Sequence, residues 1–334
     1  MVRVAINGFG RIGRSFFRVA FGMPEFDIVA LNDLTDTKTL AYLLKYDSVY
    51  GRYGKKIEAA ENHLSVEGKD IKVFSEKEPA KLPWKELGVD IVIESTGLFT
   101  KGEKARAHLD AGAKRVVVTA PADDGVITAL VGVNEDRFNT EHPLTCNASC
   151  TTNSVAPVMA ILLDQFGIVK ATMVTVHGYT ATQKLVDAPD AKDLRRGRAA
   201  AVNIVPSTTG AAEAVIDSLP MLKGKFDAVA LRVPTITGSL SVINAIVEKK
   251  TTREEVNEVF IKAAADPRWA KTLSVTHDPV VSIDIVGQPY GSIIDMLLTK
   301  VVDGDLVTVF SWYDNEVGYT ATLVEHVKRV VRYM

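Results

Sequence analysis

Residues 2–13 read Val2-Arg3-Val4-Ala5-Ile6-Asn7-Gly8-Phe9-Gly10-Arg11-Ile12-Gly13. The short apolar run predicts a buried strand, and the G-x-G-x-x-G spacing predicts a tight turn. Apolar positions at Ile12, Phe16, Val19 and Ala20 then predict a helix over 11–22. Phe26 to Asn32 is a second strand. Strand, helix and strand within about 30 residues make a βαβ unit, which implies a parallel sheet. In that setting the glycines allow a tight turn and a close backbone approach to a pyrophosphate. The helix N-terminus then faces the phosphate charge. Asp33 ends the second strand, placed to accept hydrogen bonds from an adenosine ribose. Its charge repels a 2′-phosphate, so NAD is favoured over NADP. Outside this context, three glycines would only make a turn.

Further strands are expected at 90–94 and 115–119, with a helix over 101–111 that stops at Gly112. The pattern changes after Cys150. A helix over 151–165 contains Pro157, read as a kink or a late first turn. Long strands follow at 170–177, 226–233, 239–248 and 293–313, the last carrying the hairpin signal Asp303-Gly304. Thr252 and Glu255 form a capping-box pattern that opens another helix. A final amphipathic helix covers 318–334, with Leu323, Val324, Val327, Val330 and Val331 on one face. The fold class is therefore α/β. A Rossmann-type, doubly wound parallel sheet occupies 1–149 and is joined by the C-terminal helix 316–334. An α+β catalytic domain with a mostly antiparallel sheet occupies 150–315. The polar stretch 179–203 is too long for an ordinary connection and is expected to serve a site or an interface.

The 334 residues are 47% hydrophobic and 24% charged, which suits two domains with sizeable cores. A net charge of −2 shows no electrostatic footprint for nucleic acid. No apolar run approaches the roughly 18 residues needed to span a bilayer. Met1 leads straight into a strand without the regions of a signal peptide. Two cysteines in a chain this long fit a reducing compartment, and a cytoplasmic location is expected. No metal site is expected.

Chemistry centres on Ser149-Cys150-Thr151-Thr152-Asn153. A thiol at a helix N-terminus is expected to be pushed towards thiolate, the form that attacks carbonyls. A thiolate adding to an aldehyde gives a thiohemiacetal that can lose hydride, and the thioester so formed can be resolved by phosphate. A histidine beside the sulfur would act as acid and base. His177, after the apolar run 172–176, is the candidate; His63, His108, His142, His277 and His326 lack a comparable setting. Spacing alone does not make Cys150 and His177 a dyad. Cys146 reads as a small buried hydrophobe. Ser207-Thr208-Thr209-Gly210 offers hydroxyls and backbone donors for phosphate, and Arg195, Arg196, Arg198 and Arg232 offer guanidiniums. The arginine cluster reads equally as a solvated or intersubunit face.

These residues together resemble the phosphorylating glyceraldehyde-3-phosphate dehydrogenases over essentially the whole chain. The carriers are 6–14, Glu94-Ser95-Thr96-Gly97, Asn147 to Asn153, Thr180 to Gln183, Ser207 to Ala212, Arg232 to Thr235 and Ser311 to Gly318. The resemblance implies oxidation of glyceraldehyde 3-phosphate with NAD and inorganic phosphate to 1,3-bisphosphoglycerate, a glycolytic step. It implies Cys150 as nucleophile and His177 as base. Arg11, Ile12, Asp33 and Thr119 match cofactor contacts, Asn315 the residue holding the nicotinamide carboxamide, and Lys77 a basic residue near the cofactor. Ser149, Thr151, Arg196, Thr209 and Gly210 match the site for inorganic phosphate. Thr180 and Arg232 match the site for the substrate's phosphate, with Arg232 able to serve both. A homotetramer is implied, with 179–203 lining a neighbour's cofactor site. Erythrose-4-phosphate dehydrogenase is the alternative, and the intact Thr208-Thr209-Gly210 run weighs against it.

Three positions depart from the usual pattern: Gly178 for serine, Ser154 for a second cysteine and Val317 for a bulky aromatic. Gly178 is expected to loosen the backbone at the histidine. Pro189 would crowd a 2′-phosphate, as Asp33 would repel it.

Overall fold

The computed structural model describes residues 1–191 and 193–334. Lys192, inside the 179–203 segment, lies outside the described residues. By internal packing the chain forms two units: Met1–Ala129 with Glu135–Ala148 and Leu323–Met334, and Leu130–Asn134 with Ser149–Thr322.

The first unit begins with β1 (Val2–Asn7), α1 (Arg11–Ala20), β2 (Phe26–Asn32) and α2 (Thr37–Lys45). Both strands match their sequence readings residue for residue. A small antiparallel pair, β3 (Tyr46–Asp47) and β4 (Gly51–Arg52), follows. Then come β5 (Ile57–Ala59), β6 (His63–Val66), β7 (Lys69–Phe74) and β8 (Ile91–Glu94). Residues 101–111 form two short helices, α3 (Gly102–Ala105) and α4 (Ala107–Asp110), before β9 (Arg115–Val118), β10 (Ile127–Thr128) and β11 (Leu144–Cys146). The sheet order is β10-β11-β9-β8-β1-β2-β7-β6-β5. From β10 to β7 every pairing is parallel; β5–β6 and β6–β7 are antiparallel. Strand order runs both ways from β1, so the turn after β1 lies at the topological switch point, where open α/β sheets bind ligands. Apolar residues on the strands explain the parallel core: Ala5, Ala30, Val92, Val116 and Leu144 are buried together with Cys146.

The second unit begins with α5 (Cys150–Phe166), which runs on through Pro157, so the proline is not in a late first turn. Next are β12 (Lys170–Gly178), β13 (Val205–Ser207), α6 (Ala211–Ser218), β14 (Phe226–Val233), β15 (Ser239–Ile246), α7 (Arg253–Ala265) and β16 (Leu273–Thr276). The expected run 293–313, with its hairpin signal, is three strands: β17 (Ser292–Asp295), β18 (Lys300–Val302) and β19 (Leu306–Tyr313). Asp295 Oδ1 accepts from the Leu297 and Leu298 amides and turns the chain out of the first. Asp303 and Gly304, at φ 47° and 76°, make the expected hairpin between the other two. Five of the seven pairings in this sheet are antiparallel, β12–β14 and β16–β17 being parallel. Thr252 and Glu255 close the reciprocal capping box of α7. The last helix is α8 (Val317–Val331). No helix among the described residues is long and apolar enough to cross a membrane.

His326 is fully buried, donates from Nδ1 to Ala129 O at 3.0 Å and shares a hydrogen bond with Thr145 Oγ1 at 2.8 Å. Burial lowers its pKa to about 3. The unfolded chain therefore binds the extra proton first. The resulting stability is complete above the ordinary histidine pKa and is lost as pH falls towards about 3. Urea unfolding should lose about 1.4 kcal/mol per pH unit from this group below roughly pH 6.5. In His326→Asn, which cannot charge, the pH slope should be shallower by that amount; an unchanged slope would remove this account.

Candidate active site

The glycine turn is built from backbone constraints. Gly8 has φ +91°, and a Cβ there would lie 2.7 Å from Thr96 N. A Cβ on Gly13 would lie 2.2 Å from Gly8 O. Gly10 is different: a Cβ there would meet nothing, and it caps α1 without a side-chain hydrogen bond. The first-turn amides of α1 therefore have open space for an anion. Asp33 Oδ2 accepts from Phe9 N at 2.7 Å, tying the end of β2 to the turn. Arg11 pairs with Asp47 at 3.1 Å, and Ile12 is half-buried. Thr119 follows β9 with its amide bonded to Glu94 O, and Lys77 is exposed, next to Glu76, whose amide is bonded to Asn32 Oδ1. The residues present thus fit a dinucleotide: an open second glycine, uncapped helix amides and an acidic residue at the end of β2.

Beneath this turn lies a buried polar chain that sequence reading passed over. Trp84 Nε1 donates to His108 Nδ1 at 3.0 Å, so the imidazole hydrogen sits on Nε2 and is donated to Glu94 Oε2, also at 3.0 Å. Glu94 Oε2 also accepts from Asn7 Nδ2, and Oε1 holds the Thr96 amide at 2.8 Å. Ser95 Oγ donates to Gly8 O at 2.6 Å. The glycine turn rests on a fixed carboxylate instead of a mobile loop. The signal available in the sequence was the run Glu94 to Gly97; nothing there pointed to His108.

The thiol centre belongs to the second unit. Ser149 caps α5, its Oγ accepting from Thr152 N at 3.0 Å, which puts Cys150 in the first helical turn. Cys150 Sγ lies 3.3 Å from His177 Nε2, so the candidate pair is brought together. Parallel pairing of β12 with β14 sets Arg232 opposite His177. Arg232 Nη1 is 2.7 Å from His177 Nδ1 and donates to Gly178 O at 3.1 Å. Tyr313 packs edge-on against the His177 ring and shares hydrogen bonds with Thr151 and Thr175.

Opposed influences act on the thiol beyond the helix terminus that the sequence shows. Enclosure of the sulfur pushes the Cys150 thiol up, outweighing Arg232's charge and the Thr151 hydrogen bonds that pull it down. Burial, then the charge of Arg232, lowers His177 to about 3. At this thiol the enclosure of the sulfur therefore works against the helix terminus, while Arg232 and the Thr151 hydrogen bonds work with it. The backbone is not loose at Gly178. Its amide donates to Ser239 Oγ and its carbonyl accepts from Arg232.

Arg196 Nη2 donates to Thr208 O at 3.1 Å, and Thr209 Oγ1 accepts from Ala211 N beside Gly210, where α6 starts. Thr180 shares a hydrogen bond with Thr182 at 3.0 Å. Asn315 is buried, its Oδ1 held by Gly238 N, Thr237 Oγ1 and Ser239 Oγ. Ser154 lies in a buried hydroxyl cluster, 2.9 Å from Ser311 Oγ. Val317 is half-buried at the start of α8, where Asp314 Oδ1 accepts its amide. No group of three or more histidine, cysteine or acidic side chains among the described residues could hold a metal ion.

Residues 149–315 match the glyceraldehyde 3-phosphate dehydrogenase C-terminal domain, and residues 2–102 match the NAD binding domain of the same family. The chain belongs to the glyceraldehyde-3-phosphate dehydrogenase family. It is 53% identical to glyceraldehyde-3-phosphate dehydrogenase of Thermotoga maritima over 99% of this chain and 100% of the relative. It is 52% identical to the Geobacillus stearothermophilus protein of that name, over 97% and 96% of the two chains. With Streptomyces avermitilis glyceraldehyde-3-phosphate dehydrogenase 2 the identity is 51% over 97% of each. NAD is the cofactor of this family's N-terminal domain, in agreement with the glycine turn and Asp33.

Gly10→Ala should weaken NAD binding about tenfold with an unchanged melting temperature, because its Cβ enters only open space. Gly13→Ala should lower both affinity and melting temperature, because its Cβ meets Gly8 O. Fluorescence titration with NAD and a thermal melt separate the two; equal behaviour would contradict the assigned roles.

Proposed function

We propose that this protein is an NAD-dependent, phosphorylating glyceraldehyde-3-phosphate dehydrogenase. The approach of Cys150 Sγ to His177 Nε2, with Arg232 in register beside the histidine, carries this reading. Cys150 sulfur adds to the aldehyde carbon, and His177 takes a proton and returns it to the hemithioacetal oxygen as needed. NAD, when bound, supplies the acceptor for the hydride that leaves this carbon. His177 then holds the departing hydroxyl proton while the thioester forms on Cys150. Inorganic phosphate, held by Arg196, Thr209, Gly210, Ser149 and Thr151, attacks the thioester carbon and expels the thiolate as 1,3-bisphosphoglycerate forms. Thr180 and Arg232 hold the substrate's own phosphate. Asn315, its oxygen fixed by three donors, presents its amide nitrogen to the nicotinamide carboxamide. Arg11, Ile12, Thr119 and Lys77 take the adenosine side.

A homotetramer fits the surface. Leu185, Val186, Leu194, Val202 and Ile204 are exposed apolar residues in and beside the 179–203 segment. On β15, burial alternates strictly, leaving Leu240, Val242 and Ile246 half-exposed on one sheet face. A reduced thiol suits the cytoplasm.

NADH formation should depend strongly on inorganic phosphate, and phosphate-independent turnover would move the protein to a hydrolytic dehydrogenase such as the erythrose-4-phosphate type. Cys150→Ala should abolish turnover while leaving NAD binding within about twofold; residual turnover at the parent rate would sink the covalent mechanism. Asp33→Ala should lower the kcat/KM preference for NAD over NADP by about tenfold or more, and an unchanged ratio would show that selectivity lies elsewhere.

A further inference from the structure

The polar chain beneath the glycine turn has a fixed direction at both ends. Trp84 Nε1 can only donate, so His108 Nδ1 accepts and His108 Nε2 donates to Glu94 Oε2. From the other side the Glu76 amide donates to Asn32 Oδ1 at 2.9 Å, Asn32 Nδ2 to Asn7 Oδ1 at 2.6 Å, and Asn7 Nδ2 to the same Glu94 oxygen. His108 Nε2 and Asn7 Nδ2 approach to 3.3 Å because they share that acceptor. Glu94 Oε1 accepts from Thr96 N at 2.8 Å and from the Thr96 hydroxyl, which in turn accepts from the Leu98 amide at 3.0 Å. Every partner of Glu94 is thus a donor, a demand that a carboxylate meets and an amide does not.

Glu94 is 1% exposed and His108 not at all, and no lysine or arginine is among the carboxylate's partners. A charge this deep depends on its donors, and losing one leaves the others with a side chain that can turn away. What the carboxylate holds is the cofactor face of the sheet. Its grip on Thr96 fixes the backbone against which Gly8 packs, and Ser95 Oγ ties the same turn to Gly8 O. Its other branch reaches Asn32, whose carbonyl accepts from Gly8 N and whose side chain clasps Glu76 by both N and O, one residue before Lys77. Asp33 is the next residue along β2, bound to Phe9 N.

We infer that His108 is a positioning residue for NAD. It holds Glu94, and through Glu94 it keeps the glycine turn, Asp33 and the Glu76–Lys77 segment at one spacing before the dinucleotide arrives. His108 is sealed from the surface, so it acts through Glu94 and not by touching the cofactor. Its effect is preorganisation, which reduces the ordering that binding must supply. This rests on reading the Gly8–Gly13 turn and Asp33 as the NAD site. None of the chain's hydrogen bonds goes to Cys150 or His177, so loss of His108 should appear in NAD affinity and not in the chemical step.

Calorimetric titration with NAD and thermal melts of the NAD-free protein test this in full-length variants. His108→Leu should raise the Kd for NAD about tenfold, and the KM for NAD with it, while kcat at saturating NAD stays within about twofold. His108→Gln keeps a donor towards Glu94 and should recover most of the affinity. Glu94→Gln, nearly the same shape, should weaken NAD at least as much as His108→Leu, because its amide hydrogens meet donors. A lower melting temperature with an unchanged Kd in His108→Leu and Glu94→Gln would mean that the chain only stabilises the fold, and would overturn the proposal. Equal losses in His108→Leu and His108→Gln would overturn it too, since packing and not the donated hydrogen would then matter. Should His108→Leu fail to fold, the other two variants decide: Glu94→Gln must lose NAD and His108→Gln must keep it. Gly10→Ala is the control for the site. If it binds NAD as the parent does, the reading of the turn fails; if it is weakened and the His108 variants are not, only the positioning role fails.

Discussion

The parallel register between β12 and β14 is the constraint from which the catalytic unit takes its chemistry. It sets His177 against Arg232 and Gly178 against Val233. In a sheet the side-chain period is two, so a slip of one residue would turn either side chain to the other face. The antiparallel pairing of β12 with β15 on its other edge pins the same strand from the opposite side. His177 is thereby held at one height, and the capped start of α5 brings the sulfur to it.

The first unit uses the same principle with different materials. Three strand ends, Asn7, Asn32 and Glu94, lie side by side in register. Their polar side chains do not face water; they bond to one another and to His108, whose other ring nitrogen accepts from Trp84. A buried carboxylate is tolerable only when its oxygens are satisfied, and here it is satisfied by donors that also shape the Ser95–Thr96 turn under Gly8.

Much of this was legible in the sequence where one local rule dominates. β1, β2 and β14 are apolar runs bounded by turn residues, and their limits were readable to the residue. The capping box at Thr252 and the hairpin at Asp303-Gly304 depend on two or three neighbours and were readable for the same reason. The segment 293–313 was not, because its break comes from Asp295 bonding its own following amides, which an apolar pattern hides. His108 was passed over because its partners lie 14 to 101 residues away. The helix terminus at Cys150 was legible because it is a local feature, whereas the enclosure of the sulfur and the charge of Arg232 are set by the whole fold around it.

Ser154 has a consequence for the fate of the sulfur under oxidants. One turn beyond Cys150 on α5 stands a hydroxyl locked among Ser241, Ser311 and Ser292, where a thiol would have been able to close a ring. A sulfenic acid formed at Cys150 therefore has no resolving partner in its own helix. It waits for a small thiol from solution or proceeds to the irreversible acids. Recovery of this chain from peroxide is thus a bimolecular event, governed by the reductant supply of its surroundings.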